Sequence, residues 1–275
     1  MTCRILLLGC NGRMGQTVSR MCRAGEPAGG QAGGQAGGQA GGQATVVAGA
    51  DLDTKRRFDY PVYGAISAVS QEADVALDFS SPLALLPLLD HCKANALPLV
   101  LATTGYDAPQ REAIRAASEA IPIFQTGNFS LGINLLASLV RRACAALGDG
   151  FDVEIIERHH NRKEDAPSGT ALMLYNAAAA SLPYDPEMVF DRHGVRAARG
   201  KKEIGMHTVR GGTIVGEHEV VFAGCQEVVT LSHSAASRDV FASGAIRAAA
   251  FMAGISRPGL YDMDDLLATA ETISI

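Results

Sequence analysis

Short apolar runs, set apart by glycines and polar turns, recur along the first half of the chain. Arg4-Ile5-Leu6-Leu7-Leu8 stops at Gly9, and Thr45-Val46-Val47-Ala48-Gly49-Ala50 stops at Asp51. Val75–Phe79, Leu99–Leu101 and Ile121–Phe124 repeat the pattern. Runs this short, with no polar alternation, fit strands buried on both faces, as in a parallel sheet. Helix-compatible stretches lie between them at Met14–Ala24, Leu83–Asn95 and Ala108–Ala120. This alternation predicts a doubly wound α/β sheet through about residue 125.

Beyond that point the pattern changes. Val153–Glu157, Thr208–Val215, Glu217–Phe222 and Glu227–Ser232 read as strands of a mainly antiparallel or mixed sheet, interrupted by one helix at Pro167–Ala180. Ser237–Ala253 returns to helical character and ends at Gly254. The expected organisation is a dinucleotide-type domain of residues 1–128 and 240–275, with an α+β domain at 129–239. Residues 29–44 are four copies of Gly-Gly-Gln-Ala without a charge, so a flexible, passive insertion between the first helix and second strand is expected. Lengthening such a loop adds only about 1.4 kcal/mol of closure entropy.

Composition narrows the function class. With 24 Lys+Arg against 29 Asp+Glu, the net charge of −5 speaks against a nucleic-acid partner. No uninterrupted apolar run reaches the roughly 18 residues of a membrane span, so no membrane partner is expected. Met1-Thr2-Cys3-Arg4 leads straight into a strand with no cleavage pattern. The six cysteines are scattered and form no C-x-x-C pair, which predicts buried reduced thiols and a cytoplasmic address. No Cys/His pairs stand at ligand spacing, so no metal is expected.

Three groups of residues carry candidate chemistry. Gly9-Cys10-Asn11-Gly12-Arg13-Met14-Gly15 joins the first strand to the first helix. Glycines at that junction let the backbone approach a pyrophosphate at a helix N-terminus, the Rossmann arrangement. Asp51, or its neighbour Asp53, stands where a ribose is gripped, while Lys55-Arg56-Arg57 is suited to a 2′-phosphate. The loops Asp78-Phe79-Ser80-Ser81-Pro82, Thr103-Thr104-Gly105-Tyr106 and Gly127-Asn128-Phe129-Ser130 would all lie at the carboxyl ends of strands, and together they suit a long cofactor.

The densest constellation runs from Glu157 to Ala171. Two histidines and three full cations crowd into residues 158–163 of an acidic protein, which points to an anionic ligand. A histidine can donate a proton near neutral pH and Lys163 can stabilise developing negative charge. Asp165-Ala166-Pro167 sets a helix start, with Pro near the first helical position. Ser168-Gly169-Thr170 then offers backbone N–H groups and a hydroxyl to a carboxylate.

The string His159-His160-Asn161-Arg162-Lys163-Glu164-Asp165-Ala166-Pro167-Ser168-Gly169-Thr170-Ala171 resembles the H-H-x-x-K-x-D-A-P-S-G-T-A signature of the 4-hydroxy-tetrahydrodipicolinate (dihydrodipicolinate) reductases. Gly12-Arg13-Met14-Gly15, Thr103-Thr104-Gly105, Asn128-Phe129-Ser130, Gly216-Glu217-His218 and Ala236-Ser237-Arg238 follow in that family's order. The resemblance implies reduction of a small cyclic dicarboxylate by NADH or NADPH on the route to diaminopimelate and lysine. It implies that His159 is the acid/base residue and Lys163 the donor supporting protonation. His160, Ser168, Gly169 and Thr170 would hold the substrate carboxylates. Gly9, Gly12, Arg13, Met14 and Gly15 would line the pyrophosphate and Asp51 the ribose. Phe79, Thr103, Thr104, Gly105, Asn128, Phe129 and Arg238 would complete the cofactor site, and the second domain's sheet would build a homotetramer. Two departures stand out. The Gly-Gly-Gln-Ala block is foreign to the pattern, and Thr126-Gly127 replaces a common Ala-Pro, which should leave that loop freer.

Overall fold

A computed structural model describes residues 2–23, 44–55, 58–194 and 196–272. Residues 29–43 of the repeat, and Arg56 and Arg57, lie outside the described residues. The chain divides into two compact units, Met1–Ser130 with Asp239–Ile275, and Leu131–Arg238.

The first unit contains β1 (Cys3–Leu8), α1 (Arg13–Arg23), β2 (Ala44–Ala50), β3 (Val62–Tyr63), β4 (Val75–Asp78), α2 (Leu85–Ala94), β5 (Leu99–Leu101), α3 (Ala108–Ala117) and β6 (Pro122–Gln125). Seven strands, each parallel to its neighbours, lie in the order β12-β6-β5-β4-β1-β2-β3, where β12 is Gly259–Tyr261 near the end of the chain. Ile5, Leu6, Leu7 and Leu8 are all buried, as an unbroken apolar strand inside a doubly covered sheet requires. Strand order reverses at β1, which pairs with β2 on one side and β4 on the other. A crevice outside the carboxyl ends of β1 and β4 is therefore where such a sheet takes a ligand. Ala44, the last residue of the repeat, opens β2 and is buried opposite Cys3. The insertion is thus not passive to its end.

The second unit holds α4 (Leu131–Leu147), β7 (Asp152–His159), α5 (Gly169–Ala179), β8 (Glu187–Val189), β9 (Glu203–Arg210), β10 (Gly216–Ala223) and β11 (Val228–Ala235). Its sheet has the order β11-β10-β7-β9-β8 and is mixed: β10 is antiparallel to β7 and β11, while β9 is parallel to β7 and β8. β9 starts five residues before the expected strand and ends at Arg210, where Gly211-Gly212 breaks it. The sequence does not single out α4, because its apolar residues fall on most faces and Leu135 and Leu139 stay exposed. Together with the 3-10 turn that continues it to Gly150, it is the one helix among the described residues long and apolar enough to cross a membrane by length and composition alone. Its Ile133, Leu136, Val140 and Cys144 instead pack with Val153 and Ile155 of β7 and Leu174 of α5 in this unit's core. The chain then re-enters the first unit with α6 (Asp239–Met252), β12 (Gly259–Tyr261) and α7 (Met263–Thr272).

Candidate active site

In the first unit the glycine loop is built by steric exclusion. Gly9 has φ +72°, and a Cβ there would lie 2.5 Å from the Phe79 carbonyl oxygen. A Cβ on Gly15 would lie 2.2 Å from the Gly9 carbonyl oxygen, so only glycine lets α1 begin this close to β1. Asp51 accepts the Asn11 N–H at 2.9 Å and the Asp53 N–H at 3.1 Å, which fixes its carboxylate at the end of β2. Gly9, Gly12, Asp51, Ile66 and Phe79 share the wall of a cavity of about 1110 Å³, large enough for part of a dinucleotide. Asp53 is outside that wall, and its own carboxylate accepts the Lys55 N–H at 2.9 Å.

The crowding at Gly15 gives a direct expectation. Gly15→Ala forces α1 away from the loop, lowering stability by roughly 1–3 kcal/mol, the range for overpacking, and weakening nicotinamide-nucleotide binding at least about tenfold. Thermal melting and a fluorescence titration measure the two effects. Unchanged values in both would show that the loop yields without cost.

The three polar loops are brought together. Asp78 is buried, accepts the Ser80 N–H at 3.0 Å and the Ser80 hydroxyl, and receives the Tyr106 hydroxyl at 3.3 Å. One acid thereby ties the loop after β4 to the loop after β5, and burial raises its pKa. Phe129 contacts Phe79 and Phe124 at ring-centroid distances of 6.4 and 6.0 Å, joining the third loop. Contrary to the expectation of a freer loop, Thr126 Oγ1 donates to the Asn128 carbonyl at 3.1 Å and accepts its N–H at 3.2 Å. A hydroxyl there fastens what a proline ring would stiffen. Thr103, Thr104, Gly105, Asn128 and Phe129, like Arg13 and Met14, are not part of the large cavity's wall.

In the second unit, alternation along β7 decides what meets what. Val153, Ile155, Glu157 and His159 share its buried face, so the apolar core ends in an acid and a histidine. Glu157 is 1% exposed, and its carboxylate receives Nδ1 of His159. Arg210 donates Nη1 to its Oε2 at 2.9 Å and Nη2 to its Oε1 at 2.8 Å, while Thr208 Oγ1 and the Ser168 N–H each reach Oε1 at 3.2 Å. Burial opposes ionisation, but the bonds from Arg210 and His159 hold the Glu157 pKa below its ordinary value. Burial lowers the His159 pKa, against the pull of Glu157.

Ser168 caps α5 by accepting the Ala171 N–H at 3.1 Å, so Pro167 stands before the helix and not in its first turn. Gly169 and Thr170 open the helix, where N–H groups and the dipole favour an anion. Ser168 Oγ also lies 3.2 Å from His218 Nε2. His218 meets His159 edge to face at 5.1 Å, and burial pulls its pKa down to about 4. Lys163 pairs with Asp165 at 2.8 Å. Arg238, expected with the cofactor, lies in this unit with Nη2 3.4 Å from Nε2 of His160. The Nδ1 atom of His160 is buried without a hydrogen-bond partner in the protein. The sequence drew attention to the histidines and Lys163 but not to Arg210 or Thr208, which reach Glu157 from another strand.

Residues 3–129 match the family model described as dihydrodipicolinate reductase, N-terminus, and residues 132–267 match dihydrodipicolinate reductase, C-terminus. The chain is 45% identical over 267 residues to the 4-hydroxy-tetrahydrodipicolinate reductase of Caldanaerobacter subterraneus, covering 97% of this chain and 99% of that protein. It is 42% identical to that of Clostridium tetani, covering 96% of each. A dipicolinate-bound dihydrodipicolinate reductase from Paenisporosarcina sp. TG-14 shares the fold, with TM-score 0.73 and 24% identity over 95% of this chain and 98% of that one.

Proposed function

The chain belongs to the dihydrodipicolinate reductase family, and from that premise we propose how its residues divide the work of reducing 4-hydroxy-tetrahydrodipicolinate to tetrahydrodipicolinate. The reaction is a pyridine-nucleotide-dependent step of diaminopimelate and lysine synthesis. Bound reduced nicotinamide supplies a hydride. Net, the hydride enters the ring and the ring hydroxyl leaves as water, consuming one proton.

Gly9, Gly12, Arg13, Met14 and Gly15 hold the pyrophosphate, since the two crowded glycines leave the backbone open to it. Asp51 takes the ribose hydroxyls, and Thr103, Thr104, Gly105, Asn128 and Phe129 surround the nicotinamide end. His160, Ser168, Gly169, Thr170 and Arg238 hold the substrate's carboxylates. His159 delivers the proton, and Lys163 steadies the negative charge that hydride gain leaves on the ring. The observation that carries this assignment is the burial of His159 on Glu157 beside the Ser168-capped start of α5. Mixing the protein with the condensation product of aspartate semialdehyde and pyruvate, made in place by a coupled synthase, should consume NADH or NADPH absorbance. No consumption with an active synthase would remove the assignment.

Both nucleotides serve as reductant. Asp51 favours a free ribose, and Lys55 with Arg56 and Arg57 favours a 2′-phosphate. The two kcat/KM values should therefore fall within roughly tenfold, a gap of about 1.4 kcal/mol. A preference on the order of 10³ for one nucleotide would mean that one of those features does not reach the ribose.

The working assembly is a cytoplasmic homotetramer formed through the second unit's sheet. Exposed Val228 and Val229 on the edge strand β11 support that surface. Sedimentation that returns a monomer would exclude it.

A further inference from the structure

We propose that Glu157 is the positioning residue of this site: its carboxylate fixes the ring direction and tautomer of His159 and ties that ring to the first turn of α5. The inference rests on the assignment of His159 as proton donor and goes beyond it to the group that aims it.

Three features of the geometry carry the proposal. Glu157 is on the same face of β7 as His159, two residues away, so the pleat sets the two side chains side by side. Its carboxylate receives His159 Nδ1 on one oxygen and the Ser168 N–H on the other. A carboxylate held ionised only accepts, so Nδ1 must donate, and the proton exchanged with substrate is the one on Nε2. Arg210 grips both oxygens and Thr208 a further lone pair, leaving the carboxylate no room to rotate. The proton donor and the first turn of α5 are therefore fixed to one another through a single buried group.

The wider surroundings agree. In register across the sheet, Glu157 faces Thr208 on β9 and His218 on β10. The charged or titratable groups around His159 are Glu157 on its own strand, Arg210 on β9, Lys163 in the loop that follows and His218 on β10. His218 is neutral at physiological pH and adds no charge. Glu157 is thus the negative group set against two cations, and it favours the imidazolium form that donates.

A salt bridge with only a structural role would also bury Glu157 against Arg210, so the test must read His159 itself. In Glu157→Gln, kcat should fall on the order of 10²-fold, with the nucleotide KM unchanged. The proton-donor limb of kcat/KM should move to lower pH, because loss of the negative neighbour makes the imidazolium harder to form. Nitrogen-15 NMR of His159 should change from a single Nδ1–H tautomer to a mixture. Glu157→Asp, which keeps the charge, should recover part of the rate and the original limb. If Glu157→Gln does not fold, Glu157→Asp alone serves, since the retracted carboxylate should still perturb the Nδ1 signal and lower kcat. An unchanged tautomer and limb in Glu157→Gln, or an unchanged Nδ1 signal in Glu157→Asp where that variant is read alone, would overturn the proposal whether or not the rate falls. A silent His159→Gln variant would instead remove the donor assignment, a separate failure.

Discussion

His159→Gln is expected to lower kcat by a factor on the order of 10²–10⁴, the contribution of a positioned proton donor. The nucleotide KM should stay within about twofold, because the substituted group acts on the chemical step. The wild-type pH profile adds a second check. Burial first, offset by Glu157, leaves the His159 pKa below the ordinary histidine value of 6.5. The protonated form donates, so kcat/KM should rise as pH falls, with a midpoint below 6.5 that belongs to the free enzyme. In His159→Gln that limb should vanish. A wild-type rate in the variant, or a limb that persists, would take His159 out of the reaction.

Lys163→Ala should lower kcat by roughly 10²-fold or more, the cost of losing a charge aimed where negative charge develops. The ammonium now pairs with Asp165 at 2.8 Å, a partner that is itself 60% exposed. An exposed ion pair is worth little, so exchanging Asp165 for a substrate anion costs the protein little. Lys163→Arg keeps the charge but replaces a compact ammonium with a planar fork. It should fall between wild type and alanine in kcat. Steady-state rates of the three proteins, with nucleotide and substrate varied separately, measure this. Equal kcat in all three would assign Lys163 no part in the chemical step.

Gly9 through Gly15 shows why part of the site was legible in advance. A strand, a turn that excludes Cβ and a helix start are all local, and the sequence spells each in adjacent residues. The Ser168 cap is equally local, although the expected start at Pro167 missed by two residues because the preceding loop ends before the helix and not within it. Thr126 marks the limit of such arguments. Judged as a missing Ala-Pro it predicts freedom, but its hydroxyl closes a bond to Asn128 that the residue type alone does not announce.

β9 and α4 escaped for different reasons. Apolar residues on most faces of α4 hide the helical period, and only packing against β7 and α5 selects which face is buried. The register of β9 depends on its partner β7, so its start at Glu203 follows from pairing and not from its own residues.

The sequence by itself determined the alternating α/β unit, the glycine loop, the acid at the end of β2 and the string from His159 to Thr170, because each is a pattern within a few consecutive residues. Only the tertiary structure decided that Glu157 would meet Arg210, 53 residues away, and that Ser168 would meet His218, 50 residues away. It also placed Arg238 beside His160. Pairing of β7 with β9 sets the first of those meetings, and the packing of α5 and the loops against the sheet sets the others; both minimise the free energy of the whole unit, which no local stretch of sequence encodes.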